Sequence, residues 1–125
     1  MRATNKHICT GRLTADPQLR ETQNGQHLVR FRLAVDRRVK REGQPDADFF
    51  SFVCFGKLAD FAWSYLTKGS KVLVDSHPQN SEYTRDDGTT VRDIEFIAES
   101  IEFCESKADR DRRKSSGQED EGLPF

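Results

Sequence analysis

The sequence predicts an all-β domain, a small closed or nearly closed barrel with one helix, followed by a disordered tail. Three observations predict it. Strand-like regions, five in all, are separated by turn signals, and one helical stretch follows the third of them. Val29, Phe31, Leu33 and Val35 alternate with Arg30, Arg32 and Ala34, the period-2 pattern of a half-buried strand. After Cys104 no apolar periodicity survives, and a polar, charged stretch buries too little surface to offset the entropy of ordering.

Residues 5–13 read as the first strand, with Ile8 and Leu13 apolar and Gly11 marking a bulge or kink. Asp16-Pro17 is a turn. Residues 19–23 and 26–36 flank Asn24-Gly25, a strong hairpin signal. Residues 37–48 form a polar loop with Gly43 and Pro45. The third region packs four of the nine phenylalanines into residues 49–55. Successive side chains of a strand point to opposite faces. Phe50, Phe52 and Cys54 therefore share one face, and Phe49, Ser51, Val53 and Phe55 share the other. The second face is open to two readings, a strand buried on both sides or a platform on which something flat stacks. This stretch alone favours the first.

Leu58, Phe61, Ala62, Tyr65 and Leu66 recur at the spacing of one helical face. Lys68 falls in the expected last turn, where a cation suits the helix dipole, and Gly69 is the stop. Trp63 sits at the flank of that face. Residues 71–75 are the fourth strand region. Residues 76–82 read as irregular, because Pro78 is excluded from a central ladder position. Asp87-Gly88 signals a second hairpin. Residues 91–103 are the last strand, and an apparent change of face past Ala98 suggests a bulge. A five-stranded OB-fold satisfies this count and order.

The chain has 125 residues, 34% hydrophobic and 33% charged, which suits one domain with a small core. No run approaches a membrane span, and no signal peptide is expected. Cys9, Cys54 and Cys104 lack metal-ligand spacing and read as buried free thiols in a reducing compartment. His7, His27 and His77 are scattered singly and carry no ligand pattern. Net charge is −1, but residues 30–41 hold six cations against the single anion Asp36. No nucleophile–base pair, metal cluster or phosphate loop is legible, so no catalysis is expected.

Further motifs stand in order along the chain. They are Asn5-Lys6, Gly11-Arg12-Leu13 with Asp16-Pro17, Asn24-Gly25, and Phe31-Arg32-Leu33-Ala34-Val35. Then come Phe55-Gly56-Lys57-Leu58-Ala59-Asp60, Tyr65-Leu66-Thr67-Lys68-Gly69-Ser70, and Leu123-Pro124-Phe125 behind Glu119-Asp120-Glu121. With these motifs in this order, the chain resembles the bacterial single-stranded DNA-binding proteins over almost its whole length. The resemblance implies an OB-fold over residues 1–104, a disordered linker over 105–118 and an acidic partner-binding tip over 119–125. It implies a homotetramer that coats exposed single strands during replication, recombination and repair, in the cytoplasm at the nucleoid. No cofactor or metal is implied.

On this resemblance Phe49, Phe55 and Tyr83 match aromatic base stackers. Lys57 and Lys68 match phosphate-contacting cations. Arg37, Arg38, Lys40 and Arg41 lie in the long basic hairpin, and Arg20 and Arg85 are further carry-overs. Asp120, Glu121, Gly122, Leu123, Pro124 and Phe125 match the tip that recruits replication, recombination and repair enzymes. The chain also departs from the family. Val39 stands where an aromatic is frequent, and Ser51 where a cation is frequent. Residues 76–82 replace a segment that usually carries glycine and alternating arginines, and the linker is short. These departures favour an alternative, a recruitment adaptor whose barrel binds DNA weakly. An RNA binder of the cold-shock type is a third reading, against which the tail argues.

Overall fold

The computed structural model describes residues 3–105. Its elements are β1 (His7–Leu13), β2 (Gln18–Glu21), β3 (His27–Asp36), β4 (Ala47–Phe55), α1 (Gly56–Tyr65), β5 (Lys71–Thr84) and β6 (Thr90–Phe103). The period-2 pattern of β3 does what it predicts. Val29, Phe31 and Leu33 are buried, while Arg30 and Arg32 are exposed.

β1 closes the sheet. It pairs antiparallel with β5 from His7 to Arg12 and with β3 at Arg12 and Leu13. The pairings run β3, β1, β5, β6, β4 and back to β3, with β4 and β6 parallel at Phe52–Phe96 and Val53–Ile97. The result is the five-stranded OB-fold barrel, with its helix after the third strand region. The short arm β2 is appended to β3 through the Asn24-Gly25 hairpin, where Gly25 has φ +81°. Closure explains Gly11. No bulge occurs there, since the β1–β5 register runs unbroken through Gly11–Val72. A Cβ at Gly11 would lie 2.5 Å from the Ala34 carbonyl oxygen, so glycine permits close approach of two backbones.

The expected bulge near Ala98 is present. Asp75 opposes Ser100 and Ser76 opposes Ala98, which leaves Glu99 as the extra residue. The expectation for residues 76–82 is corrected, because β5 continues to Thr84. The rule about proline holds, but its premise does not apply. β1 accompanies β5 only as far as Ser76, so at Pro78, opposite Phe96, β5 has an open edge and tolerates a missing N–H.

Leu13, Val29, Leu33, Phe52, Val72 and Val74 fill the barrel. Each such side chain contributes about 1.5–3 kcal/mol of burial. Phe31 stacks on Phe52 at 5.3 Å, and Phe50, Phe96 and His7 extend the cluster. α1 lays Ala59 and Ala62 against this core. The helix is shorter and turned relative to expectation. It ends at Tyr65, so Lys68 and Gly69 belong to the following turn, where Gly69 N–H bonds the Leu13 carbonyl at 2.8 Å. Tyr65 is exposed and Ala59 takes the buried position. A stripe read from large side chains overlooks an alanine that lets the helix approach closely. Two cysteines also differ from the expectation of burial, Cys9 being only half-buried. Burial pushes the Cys54 thiol up to about 12 and Cys9 up to about 11, but Cys104 follows the last strand and is exposed. No helix among the described residues is long and apolar enough to cross a membrane. The linker and acidic tip lie outside the described residues.

Candidate nucleic-acid interface

Paired residues of neighbouring strands share a face, so the β3–β4 register fixes what the barrel shows to solvent. Leu28 pairs with Phe55, Arg30 with Val53, Arg32 with Ser51 and Ala34 with Phe49. Phe49 and Phe55 remain 46% and 38% exposed. The strand is therefore not buried on both sides, since its second face carries two exposed rings. Six residues of extended strand separate the rings by about 20 Å. Arg30 and Arg32 rise between them from β3. Val53, on the same face, is buried and floors a hollow.

The expected site residues distribute around this face. At the Phe49 end the 37–46 loop leaves β3, carrying Arg38, Lys40 and Arg41, all exposed. Arg37 is different, because its guanidinium grips both Asp48 oxygens, at 3.1 and 2.8 Å, and reaches Gln44. Asp48's carboxyl is held below its usual range mainly by that hydrogen bond. Arg37 thus shapes the loop. At the other end Arg20 of β2 pairs with Leu28, which pairs with Phe55, so all three share one row. Phe55 is also the N-cap of α1. It provides no side-chain cap, and the first turn holds no acid. Free amide N–H groups and the helix dipole there favour an anion, and Lys57 stands beside them.

The β5–β6 ribbon forms the facing wall. Ser81 pairs with Asp93 and Tyr83 with Val91, and Tyr83 is 51% exposed. An open hollow of about 470 Å³ lies between the two walls, lined by Arg30, Ser51, Val53, Tyr83, Asp93 and Glu95 among others. A second, of about 370 Å³, shares Arg30 and Ser51 and continues past Arg32 to Thr14 and Asp16. Lys68 adjoins its rim, since the Lys68 N–H bonds Asp16 at 2.8 Å. Arg85 sits in the turn at the far tip of the ribbon, outside both hollows.

The structure therefore places Phe49 and Phe55 on the outer face of β3 and β4, with Arg20 in the Phe55 row and Lys57 in the helical turn that follows. It sets Tyr83 in the hollow beside that face and Lys68 near the second hollow, and it keeps Arg85 apart. It also adds residues that the sequence reading passed over. Arg30 and Arg32 were visible as the charged half of the β3 alternation. Asp93 and Glu95 had no such signal, because only the ribbon's fold turns them inward. Glu95 takes the Arg30 guanidinium at 3.2 Å. The partner-binding residues Asp120 to Phe125 lie outside the described residues.

A search of protein families matches residues 4–104 to the "Single-strand binding protein family". Among similar curated proteins, "Single-stranded DNA-binding protein 1" of Staphylococcus aureus (strain Mu50 / ATCC 700699) is 40% identical over 88% of this chain and 71% of its own length. "Single-stranded DNA-binding protein 2" of Clostridium acetobutylicum is 43% identical over 81% of this chain and 77% of its own. With the match spanning the whole barrel and relatives this similar, the chain belongs to the single-strand binding protein family.

Proposed function

We propose that the protein binds and covers single-stranded DNA without catalysing a reaction on it. One observation carries this reading. The outer face of β3 and β4 interleaves two exposed phenylalanines with two exposed arginines. Rings stack any base, because every base has a π-face, and cations neutralise phosphates. Duplex DNA hides its base faces and cannot use the rings. Binding of oligo-dT and of a matched duplex at two salt concentrations tests the reading. Oligo-dT binds much more tightly at both, weakening as salt rises. Equal affinity for the duplex overturns it.

Family membership extends the proposal to a coat for replication, recombination and repair in the cytoplasm, assembled as a homotetramer. Exposed Ile8, Trp63 and Tyr65, away from the groove, offer apolar surface for self-association. Leu123-Pro124-Phe125 is proposed to recruit partner enzymes, with Phe125 offering a ring and the free carboxylate together. Deleting residues 119–125 abolishes that recruitment while oligo-dT affinity holds or rises. Retention of the same partners places the recruiting surface on the barrel.

A second reading, an adaptor that binds DNA weakly, draws support from two ion pairs. Glu95 holds Arg30 and Asp48 holds Arg37, so two cations of the face are already engaged. Millimolar oligo-dT binding with intact partner recruitment would favour it.

A further inference from the structure

The wall facing the two arginines is unusual for a path taken by a polyanion. Asp93 and Glu95 both line the 470 Å³ hollow with Tyr83. Glu95 is paired with Arg30. Asp93 has no ion-pair partner among the described residues, and its Oδ1 accepts the N–H of Ile94 at 2.8 Å. A phosphate placed against Asp93 meets an uncompensated like charge. A strand following this groove must therefore turn its phosphates away and its base edges toward the ribbon.

The register says which base fits. Ser81 stands directly opposite Asp93, and Tyr83 is two residues along on the same face of β5. Diagonal neighbours on a sheet face are within reach of a ring-sized group, so a base stacked on Tyr83 overhangs the Ser81–Asp93 pair. The Watson–Crick edges of single strands are open for such contacts. A carboxylate only accepts hydrogen bonds, through two oxygens, whereas a serine hydroxyl donates or accepts. Guanine presents N1–H and N2–H side by side for the carboxylate, and O6 beside them for the hydroxyl. Thymine offers one N–H between two carbonyl oxygens. Cytosine and adenine each set an amine beside a bare ring nitrogen. Both arrangements place an acceptor against the carboxylate.

We propose that the Tyr83, Ser81 and Asp93 corner of the hollow is a base-selective subsite that prefers guanine within an otherwise sequence-tolerant groove. The inference rests on the single-strand-binding reading above.

The test uses the full chain and three labelled oligonucleotides of equal length: oligo-dT, the same strand with isolated guanines, and the same strand with isolated hypoxanthines, which lack only the 2-amino group. The wild type binds the guanine strand about fivefold or more tightly than oligo-dT, the low end for one two-point base contact, with hypoxanthine between. Asp93→Asn removes the preference, bringing the guanine, hypoxanthine and oligo-dT strands to the same affinity. Equal wild-type affinities for all three strands overturn the inference, and the hypoxanthine comparison needs no variant to fold. A preference that survives in Asp93→Asn, with all affinities raised in the same ratio, also overturns it, since the carboxylate then only repels phosphate. If the wild type fails to hold oligo-dT at all, the single-strand reading falls and takes this one with it.

Discussion

The guanidinium carbon of Arg32 stands 4.7 Å from the centre of the Phe49 ring. An exposed cation–π contact of this kind contributes about 0.5–1 kcal/mol, and it holds an exposed ring upright on the sheet. On the proposed single-strand reading, the two side chains divide the work of binding. Phe49→Ala is expected to cost about 1–3 kcal/mol of oligo-dT affinity at low and high salt alike. Arg32→Ala is expected to cost mainly at low salt and to reduce the salt slope by about 1. Fluorescence anisotropy titrations across a salt series check both. Identical salt slopes for Arg32→Ala and the wild type would mean that Arg32 meets no phosphate.

Phe52 and Phe55 are neighbours in sequence pattern and opposite in role. Phe52 is 1% exposed in the core, whereas Phe55 stands on the outer face. Phe55→Ala is expected to lose about 1–3 kcal/mol of oligo-dT affinity with little change in melting temperature. Phe52→Ala is expected to lose about 3–5 kcal/mol of stability. Thermal melting beside binding separates them. Full affinity with early melting in Phe55→Ala would assign that ring to the core.

Much of this arrangement was legible in the sequence. The alternation of β3, the Asn24-Gly25 turn and the change of face near Ala98 each reflect a local rule, and each is present. The failures share a physical cause. Pro78 looked disruptive because no sequence pattern says which edge of a strand is open. Gly11 looked like a bulge because the approach of Ala34 is long-range. Ala59 was passed over because burial by close approach needs no large side chain. At the site, aromatic rings announced themselves. Asp93 and Glu95 did not, since their meaning depends on the ribbon lying across from β3.

Trp63 is the only tryptophan, 51% exposed on α1, and it lines neither hollow of the groove. Stacking on a base would quench it strongly. Saturating oligo-dT is therefore expected to change its fluorescence little, even where anisotropy reports full binding. Strong quenching would carry the DNA path over the helix.

His27 ties the start of β3 to α1, with Nδ1 2.6 Å from Asp60 Oδ1. The hydrogen bond to Asp60, then its charge, raise the histidine's pKa, with Glu21 adding to the effect. A raised folded pKa gives stability that is present below the unfolded value, near 6.5, and lost as pH rises through the folded one. His7 acts with the opposite sign, because burial lowers its pKa and acid then favours the unfolded chain. A single melting curve against pH mixes the two. The difference between wild type and His27→Gln isolates His27. That difference is expected to be small, full below the unfolded value near 6.5 and lost as pH rises through the raised folded one. A gap that stays constant as pH rises would mean that the pair carries no charge-linked stability.

The last expectation concerns closure of the barrel. A Cβ on Gly11 would sit 2.5 Å from the Ala34 carbonyl oxygen and 3.1 Å from Val35 Cγ2. The nearer obstacle is backbone, so no side-chain rotation relieves it, and β1 must move away from β3. That junction is what makes the sheet a ring, since Arg12 and Leu13 are the only β1 residues in register with β3. Gly11→Ala is expected to cost about 1–3 kcal/mol, the range for overpacking a tight site. It is also expected to weaken oligo-dT binding, because Ala34 is the register partner of Phe49 and a shifted β3 tilts the outer face. Gly25→Ala is the contrast. It strains a turn at φ +81° but meets nothing closer than 3.6 Å, so it lowers stability while leaving the face intact. Melting and oligo-dT titration of the two variants side by side decide the matter. If Gly11→Ala melts with the wild type and binds as well, β1 and β3 have room to spare, and the ring is looser at this seam than the 2.5 Å approach requires.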